Sequence, residues 1–156
     1  MRRKDNEKDR DFAFEVIDKC SYATLSMSLP DGKPYAVPIS VARSGNALYF
    51  HCAKEGAKLD AMRKNPYVCV VCVGSTRELA TRFTMAYESA VVFGKAGEIY
   101  DDAEKIFALR MLSERYTPLN MPDFDKAIEK NLAQASVWRI EIDEITGKCN
   151  DVKERE

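Results

Sequence analysis

A chain of 156 residues, 46% hydrophobic and 31% charged, has the length and balance of one soluble globular domain with a core of its own, spanning 1–156. Its 24 basic and 25 acidic side chains nearly cancel, so no overall field draws it to nucleic acid or to an anionic membrane surface, and any binding is local. Apolar runs such as 90–93 fall far short of the roughly 18–20 residues that cross a bilayer, and Met1-Arg2-Arg3-Lys4 leads into acids rather than an apolar stretch, which reads as a cytoplasmic protein.

Residues 1–10 are nearly all charged and read as a loose arm or an extended lead-in. Asp11 is expected to cap a helix in which Phe12, Val16, Ile17 and Cys20 recur at helical spacing. From Tyr22 the period changes to two: residues 24–29 alternate, Pro30-Asp31-Gly32-Lys33 turns, and 34–42 returns as the second arm of a hairpin. Arg43-Ser44-Gly45-Asn46 makes a second turn before a third strand over 47–52, and 57–65 is a short helix stopped by Pro66. The β-branched run 67–73 predicts a central strand buried on both faces.

Residues 74–80 read as a polar connection, and 81–100 as a long strand interrupted by a bend, bulge or corner at Gly94 and Gly97. Asp101 and Asp102 cap a helix to about Tyr116, with Ile106, Leu109 and Leu112 on one face, and a weaker helix covers 123–133. Residues 136–143 alternate strictly, with Trp138, Ile140 and Ile142 on one side and Arg139, Glu141 and Asp143 on the other. About six strands joined mostly by hairpins, with helices as crossovers, predict a mainly β (α+β) fold: a six-stranded antiparallel split barrel with peripheral helices.

Five cysteines are an odd number, and three lie in apolar strand-like segments, which suits buried thiols better than a disulfide framework. Cys69 and Cys72 have ligand-like spacing, but residues three apart on a strand face opposite ways, and a single histidine excludes His-rich zinc chemistry, so no metal site is expected.

The stretch carrying most chemistry is Leu48-Tyr49-Phe50-His51-Cys52-Ala53-Lys54-Glu55-Gly56-Ala57-Lys58. A strand that feeds a helix N-terminus offers free backbone N–H groups and positive dipole at one point, and Lys54 and Lys58 add charge, which suits a phosphate. The only histidine, His51, then stands beside whatever the phosphate carries. Taken alone, the lysines read rather as solvated charges at a helix start, and His51 as a packed or surface histidine.

These segments, together with Gly32-Lys33-Pro34-Tyr35-Ala36-Val37-Pro38-Ile39-Ser40, Asn65-Pro66-Tyr67-Val68-Cys69, Tyr87-Glu88-Ser89-Ala90-Val91-Val92-Phe93-Gly94-Lys95-Ala96 and Ile140-Glu141-Ile142-Asp143-Glu144-Ile145-Thr146-Gly147-Lys148, follow one another in a consistent order. In them the chain resembles the pyridoxamine-phosphate-oxidase-like FMN-binding split-barrel proteins, and among these the nitroimidazole-resistance (Nim-type) branch. The resemblance implies a homodimer with FMN in clefts where the subunits meet. It implies that Val37, Pro38, Ile39 and Ser40 flank the isoalloxazine, that His51, Cys52 and Ala53 reach the ribityl-phosphate through their backbone, that Lys58 pairs with the phosphate, and that Ser89, Ala90 and Val91 line the remaining edge. Lys54 is taken with Lys58 as a phosphate charge, and His51 as the catalytic side chain.

The residues agree with this on physical grounds: Pro38 has no N–H, so it interrupts the ladder and leaves its neighbours free to bond a ligand. The array that grips substrate phosphate in true pyridoxamine-phosphate oxidases finds no match here. The expected activity is an FMN-dependent oxidoreductase passing electrons to a small aromatic or nitro-aromatic acceptor, with a small molecule rather than nucleic acid or membrane as partner. The alternative is a non-enzymatic split-barrel carrier or sensor of flavin or haem.

Overall fold

Period-two alternation recurs along the chain and produces eight strands among the described residues, every pair of them antiparallel. The structure, a computed structural model, describes residues 3–152. In chain order, β1 (Glu7–Lys8) precedes α1 (Arg10–Lys19), and β2 (Ala23–Ser28), β3 (Pro34–Ile39), β4 (Ala42–Ser44) and β5 (Ala47–Cys52) follow. Then α2 (Ala57–Lys64) leads into the long hairpin of β6 (Tyr67–Glu78) and β7 (Met85–Ile99), after which α3 (Asp102–Tyr116) and α4 (Phe124–Asn131) precede β8 (Ser136–Asn150).

The strand order is β3-β2-β6-β7-β8-β5-β4, with β1 paired to β8. The two ends of that path, β3 and β4, are joined by Ser40 and Val41 alone, so the sheet has to curl until its ends approach. The result is a barrel open along one line, the split between β3 and β5.

Inward-facing residues form the core. Leu25, Leu48, Phe50, Val70, Val92, Trp138 and Ile140 meet Val16 and Ile17 of α1 and Leu59 and Met62 of α2, all essentially without exposure. Each such side chain contributes about 1.5–3 kcal/mol by leaving water. Phe50 stacks on Trp138 with ring centroids 6.5 Å apart, and the Trp138 indole donates to Ser136 Oγ at 2.9 Å. Outside the barrel α3 covers β5: Tyr49, Ile99, Ala108 and Val137 form a second, smaller core.

Several expectations change on contact with the tertiary structure. The cap of α1 is Asp9, whose carboxylate accepts from the Phe12 N–H at 2.9 Å, not Asp11, which lies inside the first turn. The charged arm is tied down in part, because Glu7 and Lys8 pair with Lys148 and Gly147; Met1 and Arg2 lie outside the described residues. The span 34–42 divides at the barrel's opening into β3 and β4. Strand β6 is central, as expected, yet it is buried on one face only: Val68, Val70 and Cys72 point into the core while Tyr67 and Val73 stay exposed.

Residues 74–78 continue β6 after a bulge between Val73 and Thr76 rather than forming a connection. The interruption foreseen in β7 lies at Gly94, where the register against β8 shifts, and not at Gly97. The eight strands, against six expected, come from this division of 34–42 and from β1.

Candidate functional site

The opening is walled by two strand edges without partners. β3 pairs with β2 on one side only, and β5 is covered by β4 only over Ala47, Leu48 and Tyr49. Continuing the β4–β5 register by two residues would set Ser40 against His51, but the chain turns away first. A single hydroxyl holds that departure: Tyr116, at the end of α3, donates to the Val41 carbonyl at 2.9 Å and accepts from its N–H at 3.2 Å. The bond from Ile142 N–H to the Asn46 carbonyl sets the alternation along β5: Phe50 and Cys52 turn their backbone groups to β8, His51 turns its own to the split without a strand neighbour, and Pro38 removes a donor from the opposite wall.

Alternation decides what each predicted residue can offer. Val37 and Ile39 pair with Leu25 and Ala23 in the register opened by the bond from Leu29 N–H to the Lys33 carbonyl, so their backbone groups face β2 and their side chains the core; contrary to expectation it is Pro38, through its carbonyl, and not its neighbours, whose backbone faces the split. Pro38 and Ser40 are exposed. On β5, Cys52 turns toward the core and His51 outward, on the face of Tyr49 and Val137. On β7, Ala90 is fully buried in the core, whereas Ser89 and Val91 face outward.

Past β5 the chain bends at Gly56, whose φ of +132° suits glycine alone, and α2 begins there without a capping side chain. The first intrahelical bonds run from Leu59 and Asp60 to the Gly56 carbonyl, which leaves the N–H groups of Ala57 and Lys58 free at the positive end of the helix. Lys58 is half-buried there, and its charge acts on both His51 and Cys52. Desolvation first, and Lys58 second, hold the imidazole below its ordinary value, so His51 is neutral at neutral pH although the residue is exposed. Ala53 and Lys54 lie exposed in the link before the helix; Lys54 is not on a helical face with Lys58.

The orientation of α2 depends on residues whose role no sequence pattern marks. Arg63 donates to Glu98 Oε2 at 2.9 Å, Tyr100 reaches the same oxygen at 3.2 Å, and Ser136 donates to Glu98 Oε1 at 2.7 Å. Burial pulls Glu98 upward, but these donors outweigh it and keep the carboxylate ionised below its usual range. Because Ser136 also pairs with Cys52 across β5 and β8, the network fixes the corner where the strand ends.

Two sets of predicted residues are brought together, and a third is not. Val37 to Ser40 and His51 to Lys58 flank one opening. Val91 is reached from Pro38 by a single row across the outer face, Pro38–Thr24–Val71–Val91, three strand spacings or about 14 Å away. From His51 it is separated by most of β7, since His51 aligns through Val137 with Ile99.

Two hollows lie away from the split. One of about 430 Å³ runs past Phe12, Arg77, Tyr87 and Glu88, and one of about 320 Å³ lies between Lys95, Tyr100 and Arg139. Glu88 is engaged there by Lys19 at 2.5 Å, and Arg139 by Glu104 and Glu141. Among the described residues no three His, Cys, Asp or Glu side chains converge on a point that could hold a metal, and Cys69 and Cys72 face opposite ways.

Comparison with known proteins assigns the fold to a lineage. The model of the family described as pyridoxamine 5'-phosphate oxidase matches residues 9–149. The chain belongs to that family. An uncharacterized protein from Rhizobium meliloti (strain 1021) is 32% identical over 126 residues, which are 76% of this chain and 78% of that one. Among solved structures, a candidate 5-nitroimidazole antibiotic resistance protein from Bacteroides thetaiotaomicron is 27% identical, over 91% of this chain and 84% of that one, with a TM-score of 0.77. An FAD-binding protein from Mesorhizobium loti is 26% identical over 93% of this chain and 97% of that one, with a TM-score of 0.69. The pyridoxamine 5'-phosphate oxidase fold is thus a split barrel here, and no helix among the described residues is long and apolar enough to cross a membrane.

Proposed function

We propose that this family member is a homodimeric flavoprotein oxidoreductase that binds FMN at the split and reduces a small, nitro-aromatic acceptor. The observation that carries the reading is the pair of unpartnered strand edges, β3 with its Pro38 and β5 ending at His51, opening beside the uncapped start of α2. A flavin needs a flat slot with main-chain donors and acceptors on its rim, and its phosphate needs cations and free amides. Lys58 and the N–H groups of Ala57 and Lys58 supply the second requirement; the backbone of His51 and the carbonyl of Pro38 supply the first.

When bound, the flavin supplies the two-electron chemistry. The chain's own part is binding, exclusion of water and one proton: His51, neutral and exposed on the site side of β5, can give or take that proton at a ring nitrogen near neutral pH. Dimerisation is supported by the outer face of β6 and β7, where Tyr67 at 60% and Phe93 at 50% exposure flank Cys69 and Val71. A second copy laid on that face would cover it and would bring Ser89 and Val91 to a cleft that one chain leaves open.

The FAD-binding relative from Mesorhizobium loti supports a second reading, FAD in place of FMN at the same split. The test is the absorption spectrum of freshly purified protein, its mass in solution, and the mass of flavin released on denaturation. Yellow dimer that bleaches with dithionite, releases FMN, and passes electrons to a nitro-aromatic after reduction is the expected result. Released FAD favours the second reading. A Soret band, or colourless protein that takes up no FMN at micromolar concentration, overturns both.

A further inference from the structure

The register of its walls gives the split a way to close. Ser44 pairs with Ala47, Arg43 with Leu48 and Ala42 with Tyr49, so two further steps along the same ladder set Ser40 against His51. Every second pair of an antiparallel ladder exchanges both of its N–H to carbonyl bonds, and His51 already turns its backbone groups to that side. These groups therefore have two competing partners: a ligand in the split, or Ser40 from the opposite wall. Only Ser40 and Val41 link β3 to β4, so a shift of those two residues is enough to bring the second partner in.

The grip on Val41 keeps Ser40 away. Ala42 bonds to Tyr49, so its neighbour Val41 turns N–H and carbonyl away from β5, toward an edge of β4 where no strand lies. Val41 is fully buried, and both groups need a partner. Tyr116 supplies it with a single oxygen, donating to the carbonyl at 2.9 Å and accepting from the N–H at 3.2 Å. Burial raises the phenol above its ordinary range, so its proton stays available to the carbonyl at neutral pH. The hydroxyl is in turn fixed to the barrel. Arg115, next to it at the end of α3, donates to the carbonyls of Ile17 and Cys20, both at 2.7 Å, where α1 ends against the sheet. Removing the oxygen leaves a buried donor and acceptor facing a bare ring, which is unfavourable for each. A shift of the link lets water reach them, and a shift toward β5 also forms the two bonds between Ser40 and His51.

We propose that Tyr116 is a positioning residue that holds the split open: its hydroxyl keeps the link between β3 and β4 off β5, and without it the link closes on His51 and takes the backbone groups a flavin would use. The effect on flavin rests on the reading of the split given above, whereas closure of the empty chain does not. Tyr116 acts through Val41 and Ser40 and touches no ligand itself. A merely structural loss would loosen this corner and speed the exchange of its amide protons. Closure has the opposite sign at His51, because the amide gains a partner.

The test follows amide hydrogen exchange by NMR in the full-length chain freed of flavin. His51 is the only histidine, so isotopically labelled histidine gives one amide signal that reports it directly. In the wild type this amide is expected to exchange freely and that of Val41 to be protected. In Tyr116→Phe the order reverses: exchange at His51 slows by about tenfold and at Val41 quickens, at unchanged circular dichroism, while FMN affinity falls by about tenfold. A His51 amide that exchanges as fast in Tyr116→Phe as in the wild type, or faster, overturns the proposal. So does a wild-type Val41 amide no better protected than that of Ser40, a comparison that needs no variant to fold. Slowed exchange at His51 with undiminished FMN affinity overturns the competition between closure and ligand. Wild-type protein that takes up no FMN removes the flavin reading instead, and closure is then decided by exchange alone.

Discussion

At the scale of single residues, one histidine and one lysine carry the candidate chemistry, and their coupling can be measured directly. The chain has a single histidine, so one ring-proton NMR resonance reports His51 without assignment. Its midpoint is expected below the ordinary value of about 6.5, because burial and then Lys58 disfavour the imidazolium; in Lys58→Met the midpoint moves back up part of the way, burial remaining. A midpoint at or above 6.5 in the wild type removes the coupling. The sign for stability follows from the same depression: the unfolded chain takes up the His51 proton first as pH falls. This contribution is therefore present above about 6.5 and is lost as pH drops through the lower native midpoint. For function, His51→Ala is expected to retain flavin and slow turnover by about 10²-fold, whereas Lys58→Met weakens flavin binding by about tenfold, from the loss of one charge-assisted contact. Unchanged turnover in His51→Ala takes the imidazole out of the reaction.

At the scale of elements, the long strands depend on close approach at one glycine. A Cβ placed on Gly94 would sit 2.1 Å from the Glu141 carbonyl oxygen and 3.0 Å from Ile140 Cγ2, at the point where β7 shifts register against β8. Neither contact is with the end of a flexible side chain, so relief requires the two strands to separate. Gly94→Ala is expected to cost about 3 kcal/mol, lowering the melting temperature by about 6–12 °C in a domain of this size. Gly97, three residues on in the same strand, has open space around its Cα and no strained φ, and Gly97→Ala is expected to leave the melting temperature within about 2 °C. Equal shifts in the two variants, read by calorimetry, would show that the bulge at Gly94 is not what holds the strands together.

At the scale of the whole molecule, the barrel has a buried inner face and an outer face that one chain leaves partly uncovered. Tyr67, Val73 and Phe93 project from β6 and β7 there, and Tyr22, Thr24, Val71 and Val73 border a hollow of about 220 Å³ on the same side. Apolar sheet surface of this kind is ordinarily covered by another layer. Phe93→Lys places a charge in the middle of it without touching the core, since the side chain points away from Val92 and Gly94. The expected outcome is a shift from dimer to monomer in sedimentation, at unchanged secondary structure, with loss of bound flavin. A variant that stays dimeric moves the interface elsewhere.

What the amino-acid order determined by itself was local. Alternation set the strands and their inward sides, as in Trp138, Ile140 and Ile142, all buried; glycine and proline set the turns; the run from Leu48 to Lys58 marked the corner where a strand feeds a helix. Only the tertiary structure decided which ends of the sheet approach one another, because closure depends on the pairing of β5 with β8, strands more than 80 residues apart. For the same reason the hold of Tyr116 on Val41 and the Arg63–Glu98–Ser136 brace of α2 left no periodic trace: each joins groups whose separation along the chain carries no regular spacing. The short-range periods of a sequence reflect the geometry of its own helix or strand, whereas a site at a split belongs to elements that only burial of the common core brings side by side.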